Sequence, residues 1–89
     1  MTGLGRATVV GVDDATVIEE SWQEPSRFAI LFDRHAPLIY RYIARRVGYH
    51  AIDDLVAETF VGAFASRLGY NDRDAKPWLY GIATNVIGS

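Results

Sequence analysis

The feature that most constrains this chain is the apolar spacing between residues 51 and 68. Ile52, Leu55, Val56, Thr59, Phe60, Ala63, Phe64 and Leu68 recur at intervals of three and four. That period lays one stripe along an α-helix, and it does not fit the two-residue alternation of a half-buried strand. A stripe this wide must be covered by other elements. A helix over about residues 51–67 is therefore expected, with this face in the core and Gly69 closing it.

The rest of the chain supplies the cover. Positions 28, 31, 32, 35, 38, 39, 42, 43 and 47 repeat the helical period, with His35 as the amphipathic member. Ser26 is a candidate cap for this segment. Pro37 lies inside it and lacks a backbone donor, which predicts a kink or break near His35-Ala36. Gly48 is placed to stop the helix in a left-handed conformation. Ahead of this, Asp13 or Asp14 caps a shorter helix running to about Gln23, with Val17, Ile18, Ser21 and Trp22 on one face. Glu24-Pro25-Ser26 breaks it.

Residues 70–76 read as a polar loop, and Pro77 suits the first turn of a last helix reaching about Ile87. Trp78, Leu79, Ile82, Ala83 and Val86 would face inward. Residues 1–12, with Gly3, Gly5 and Gly11 and no clear period, read as a flexible tail. Apart from an ambiguous stretch over 7–12, no strand-like alternation is long enough to count. The expectation is all-α: one domain over 13–89, a compact bundle of three main helices plus a short N-terminal one.

Composition narrows the function classes. An 89-residue chain with 49% hydrophobic residues makes one small globular domain. No run approaches the ~20 apolar residues of a membrane span, and no secretory signal is evident. The absence of cysteine excludes disulfides and thiolate metal sites and fits a reducing cytoplasm. The net charge of −2 argues against strong nonspecific nucleic-acid binding. That charge is unevenly spread, at −4 over 1–26, +4 over 27–46, −3 over 47–60 and +1 over 61–89. Such blocks are either solvated faces or surfaces for different partners.

Two segments carry the candidate sites. Asp54, Glu58 and Val61 follow one another at four and three residues and so share a helical face turned away from the apolar stripe. Asp53 and Asp54 are explained by the first turn, where carboxylates favour the helix N-terminus. That account does not reach Glu58 or Val61, and a mixed acidic and apolar strip suits docking on a basic helix. The second segment sets Tyr70, Trp78 and Tyr80 among Arg67, Arg73 and Lys76, with Asn71 in the loop. Aromatic rings stack on unpaired bases and cations hold phosphates. Trp78, at a core-facing position, suits packing better than stacking, and Tyr70 in the polar loop is the better exposed stacking candidate. Asn85, two turns beyond Trp78, has an amide able to pair with a base edge, although such a residue also serves as a cap.

Catalysis finds little footing. His50 with Asp53 or Asp54 makes at most a sparse metal site, and no phosphate loop or nucleophile–base spacing is present. His50 suits helix initiation, and His35 suits packing. No enzyme activity, cofactor or metal is expected.

These segments resemble region 2 of the extracytoplasmic-function sigma factors, the promoter-recognition subunits of bacterial RNA polymerase. The stretch from Phe28 through Pro37 with Tyr40-Arg41-Tyr42 is similar to the family's first helix. Asp53-Asp54-Leu55-Val56-Ala57-Glu58-Thr59-Phe60 resembles its polymerase-binding helix, and Trp78-Leu79-Tyr80 with Ile82-Ala83 and Asn85 its promoter-melting helix. The likeness covers about residues 14–87. It implies that Asp53, Asp54, Leu55, Glu58 and Val61 meet the clamp helices of the large polymerase subunit. It implies too that the loop 66–76 and Asn85 capture a base flipped from the melted −10 strand, with Arg67, Tyr70, Asn71, Arg73, Lys76, Trp78 and Tyr80 around it. The alternative is a helical interaction module that binds, for instance, an anti-sigma factor. Ala57 departs from the family, which usually carries Gln there. The resemblance also implies a second, helix-turn-helix domain beyond Ser89, so an isolated region 2 domain working in the cytoplasm is expected.

Overall fold

The computed structural model of the chain describes residues 12–71 and 74–88. Four α-helices follow one another: α1 (Asp14–Gln23), α2 (Ala29–Val47), α3 (Ile52–Ala65) and α4 (Ala75–Gly88). Single 3₁₀ turns, Pro25–Phe28 and Arg67–Gly69, join α1 to α2 and follow α3. The described residues contain no strand. The proposed tail over 1–12 and the ambiguous stretch over 7–12 lie outside the described residues, save for Val12.

Local chemistry explains most of the boundaries. Asp13 is extended, at φ −77° and ψ 169°, and its carboxylate accepts the Thr16 N–H at 2.9 Å, so it caps α1. Ser26 does not cap α2. Pro25 instead starts a 3₁₀ turn that runs directly into the helix, and Phe28 at the junction makes no side-chain cap. Pro37 does not break α2, which continues unbroken to Val47. Asp33 and Pro37 are both exposed, which leaves the position of the missing backbone donor on the solvent side of the helix. Gly48 ends α2 at φ 75° and ψ −158°, a region open essentially to glycine alone. Three residues on, Ala51 adopts φ 59°, the only positive φ among the described non-glycine residues. The turn between α2 and α3 thus bends twice through left-handed space.

The core gathers one face of each helix. Val17 and Ile18 of α1 meet Leu31, Ile39 and Ile43 of α2, Ile52, Val56, Phe60 and Ala63 of α3, and Ala75, Leu79 and Ala83 of α4. Each fully buried Ile or Leu removed from water stabilises the fold by about 1.5–3 kcal/mol. Phe28 packs edge-on to Phe64 at 5.3 Å and Phe32 to Phe60 at 4.9 Å, closing α2 on α3. The buried Thr59 hydroxyl donates to the Leu55 carbonyl at 2.8 Å and leaves no polar cost.

The apolar stripes are narrower than their periods imply. Leu68, expected in the core, is 64% exposed because α3 stops at Ala65 and the 3₁₀ turn swings later residues off the stripe. Phe32, Val47 and Phe64 sit at the rim of the core rather than within it. The last helix begins at Ala75, two residues before Pro77.

One acid ties three helices together. Asp14 in the first turn of α1 is 12% exposed. Its Oδ1 accepts Arg34 Nη1 at 3.1 Å, and its Oδ2 lies 2.9 Å from His35 Nε2, both on α2. The same Oδ2 accepts the N–H of Ala75, first residue of α4, at 3.3 Å.

Candidate nucleic-acid and polymerase interface

The acids of α3 stand outside. Asp53, Asp54 and Glu58 are exposed, and none forms a salt bridge among the described residues. Val61 is 67% exposed beside them, and Leu55 is half-buried at their edge. The α-helical spacing of 54, 58 and 61 makes one continuous strip. Asp53 lies about 100° round the helix from Asp54. It borders an apolar groove of about 400 Å³ between α2 and α3, lined by Phe32, Ala36, Pro37, Tyr40, Val56 and Ala57.

The aromatic segment divides into two groups. Trp78 and Tyr80 are two residues apart on α4 and so point about 200° apart. Trp78 packs on Tyr70 with ring centroids 4.7 Å apart, whereas Tyr80 packs on Tyr42 of α2 at 4.8 Å. Thr84 donates its hydroxyl proton to the Tyr80 carbonyl at 2.8 Å, so the 2.6 Å contact with Tyr42 is donated by the Tyr42 hydroxyl. Exposed Asn85 lies seven residues after Trp78 and returns to the Trp78 stripe.

Tyr70 is not a free loop ring. It is half-buried, and with Trp22, Ala15, Ile18, Glu19 and the exposed Asn71 it lines a cleft of about 190 Å³ between α1 and the loop. Trp22, on the apolar face of α1, is 42% exposed and donates Nε1–H to the Arg67 carbonyl at 3.3 Å. Arg67 is held within the fold. Its Nη1 donates to the Phe64 carbonyl at 3.0 Å, its Nε to the Ser21 carbonyl at 3.4 Å, and its guanidinium lies 3.9 Å over the Phe64 ring. Lys76 is exposed, and its backbone N–H donates to Asp74 Oδ1 at 3.2 Å. Arg73 lies outside the described residues.

Trp22 escaped the sequence reading as a site residue because its helical face signals packing, and only the fold brings it to Asn71. On the far side, Glu20 bonds Arg27 at 2.9 Å, and that bond raises the guanidinium pKa further above its ordinary value. Among the described residues no three His, Cys, Asp or Glu side chains converge as a metal site would need, so His50 and the α3 acids do not meet on one ion. No described helix is long and apolar enough to cross a membrane.

The fold is thus an all-α domain with an acidic strip on one helix and an aromatic helix beside a cleft-forming loop. The family model of sigma-70 region 2 matches residues 31–88, and the chain belongs to that family. Its family is one of transcription factors, not enzymes. The chain is 41% identical over 68 residues to the ECF RNA polymerase sigma factor BldN of Streptomyces coelicolor, covering 72% of this chain and 25% of that protein. It is 34% identical over 67 residues to the ECF RNA polymerase sigma factor SigL of Mycobacterium tuberculosis, covering 72% of this chain and 38% of that protein. The chain thus spans well under half the length of the curated relatives it matches. No solved structure matches it significantly.

Proposed function

We propose that this chain acts in bacterial transcription initiation as a sigma region 2 domain, with RNA polymerase core and promoter DNA as its partners. In this reading α3 docks on the clamp helices of the large polymerase subunit through Asp53, Asp54, Leu55, Glu58 and Val61. The loop after α3 and the Trp78–Asn85 stripe of α4 hold the melted −10 strand, with Asn71 and Lys76 exposed at the loop and Arg73 as a further cation. The cleft between Trp22, Tyr70 and Asn71 is the place on this face able to admit a planar base. Tyr70, Trp78 and Tyr80 support that face through packing, and Arg67 does so by pinning the 3₁₀ turn. The work is done in the cytoplasm.

One observation carries the reading: Asp54 and Glu58 project into solvent without an ion-pair partner among the described residues, flanked by the exposed Val61. Carboxylates four apart repel by a few tenths of a kcal/mol and gain nothing from one another. A cationic partner removes that cost. The test is Asp54→Lys with Glu58→Lys in a pull-down with a clamp-helix fragment. Binding should be lost while helicity by circular dichroism is unchanged, and retained binding would reject the surface.

The groove between Phe32, Tyr40 and Val56 favours a second reading for the same region. An anti-sigma helix with apolar side chains in that groove and cations against Asp53 would cover α3 and compete with polymerase. Competition between such a partner and the clamp-helix fragment is the measurement that tests it.

A further inference from the structure

Neither surface above uses the arginines in the second half of α2. Arg41, Arg45 and Arg46 are all exposed, and none forms a salt bridge among the described residues. Arg41 and Arg45 lie one turn apart on one face and border a cleft of about 160 Å³ with Leu38, Tyr42 and Tyr80. On their other side, with Ala44 and Tyr49, they border a second cleft of about 220 Å³. Tyr49 is 75% exposed. The Arg46 guanidinium sits 4.8 Å over the Tyr42 ring, and Tyr42 is bonded to Thr84 of α4. The cationic stripe is thus continuous with the helix that carries Asn85.

Cations in a last turn complement the helix dipole, which accounts for Arg45 and Arg46. It does not account for Arg41, further back, or for the exposed Tyr49 beside the pair. A solvated charged face does not need two clefts between its arginines and tyrosines either.

We propose that this stripe grips the phosphate backbone of double-stranded DNA adjoining the strand held by α4, an inference that rests on the DNA half of the function proposed above. Four helical residues place Arg41 and Arg45 about 6 Å apart along the axis. Neighbouring phosphates on one strand of a duplex advance about 3.4 Å along the axis while winding round it, which sets them at a comparable separation. Each guanidinium presents a donor fork that matches phosphate oxygens, and the Tyr49 hydroxyl adds another donor. The occupant is backbone and not unstacked base, because the clefts present guanidinium forks, while the Tyr42 and Tyr80 rings pack on each other and Arg46 covers Tyr42.

The experiment compares the chain with Arg41→Gln/Arg45→Gln, which leaves the Arg46–Tyr42 contact in place. Binding is measured by fluorescence anisotropy to a duplex hairpin, to a −10 single strand and to polyglutamate, between about 50 and about 200 mM salt. Both proteins are first checked for equal helicity by circular dichroism. We expect duplex affinity to fall about tenfold, with the salt slope shallower by about 2 because two phosphate contacts are lost. Single-strand affinity should change less than about twofold, since its proposed contacts are elsewhere. Arg41→Lys/Arg45→Lys should recover most of the duplex binding, since lysine holds phosphate as a point charge. An unchanged duplex affinity and slope overturns the inference, as does a chain that binds no duplex at all. Tighter binding to polyglutamate, lost in the same variant, overturns it in favour of an acidic protein partner. Failure of the wild-type chain to prefer the −10 strand over a scrambled one counts instead against the single-strand function and is read in a separate arm.

Discussion

Asp14 Oδ2 and His35 Nε2 lie 2.9 Å apart, joining the first turn of α1 to the buried face of α2 across 21 residues of sequence. The same carboxylate receives Arg34 and the first N–H of α4. It therefore serves as a cap for a helix that begins 61 residues later. A side chain with so many donors and little solvent has few substitutes.

Replacing Asp14 with Ala should lower stability by about 2 kcal/mol, because Arg34, His35 and the Ala75 N–H are left without their acceptor. In a domain this small that corresponds to a fall in Tm of roughly 10 °C. Thermal melts by circular dichroism check it. Asp13→Ala, which removes only a local cap, should cost about 1 kcal/mol.

The turn between α2 and α3 offers two substitutions of opposite sign. Gly48→Ala places a Cβ on a backbone that L-residues avoid and should cost about 1–3 kcal/mol. Ala51→Gly relieves a left-handed alanine and should stabilise by up to about 1 kcal/mol after the entropy of glycine is counted. Urea titrations of both variants test the pair, and a loss at Ala51→Gly equal to that at Gly48→Ala would refute the strain at Ala51.

Arg67 should behave as a structural residue. Arg67→Gln removes its donors to Ser21 and Phe64 and its stacking on the Phe64 ring, at a cost of about 1–2 kcal/mol. Arg67→Lys should rescue little of it, because an ammonium lacks the planar fork. If Lys restores full stability, charge alone is at work there.

Asn85→Ala should weaken binding to a −10 single strand about tenfold and reduce discrimination against scrambled strands. Equal loss on every sequence would mean that Asn85 contributes contact without readout.

Much of the fold was legible because it is written in local periods. The helices, the Asp13 cap, the Gly48 stop and the outward Asp54–Glu58–Val61 strip all follow from spacing within a dozen residues. What escaped is non-local or set by the ends of elements. Nothing in the neighbourhood of Asp14 announces His35 or Ala75, whose pairing depends on how three helices cross. Leu68 continues the apolar period of α3, but the period does not say that the helix stops three residues earlier. The site shows the same limit. Interleaved aromatics and cations look like one surface in sequence, yet Trp78 and Tyr80 serve opposite sides of α4, and Arg67 is bound by the carbonyl groups of its neighbours.

The anchoring of α1 bears on where the physical unit begins. The family model matches from residue 31, yet Val17, Ile18 and Phe28 sit inside the same core as the matched helices, and the Asp14 carboxylate bonds to them. A protein cut at that border would keep the whole matched segment while opening an apolar trench along α2 and leaving the start of α4 without its acceptor. The segment that the family model spans is smaller than the part that must be synthesised for it to stand.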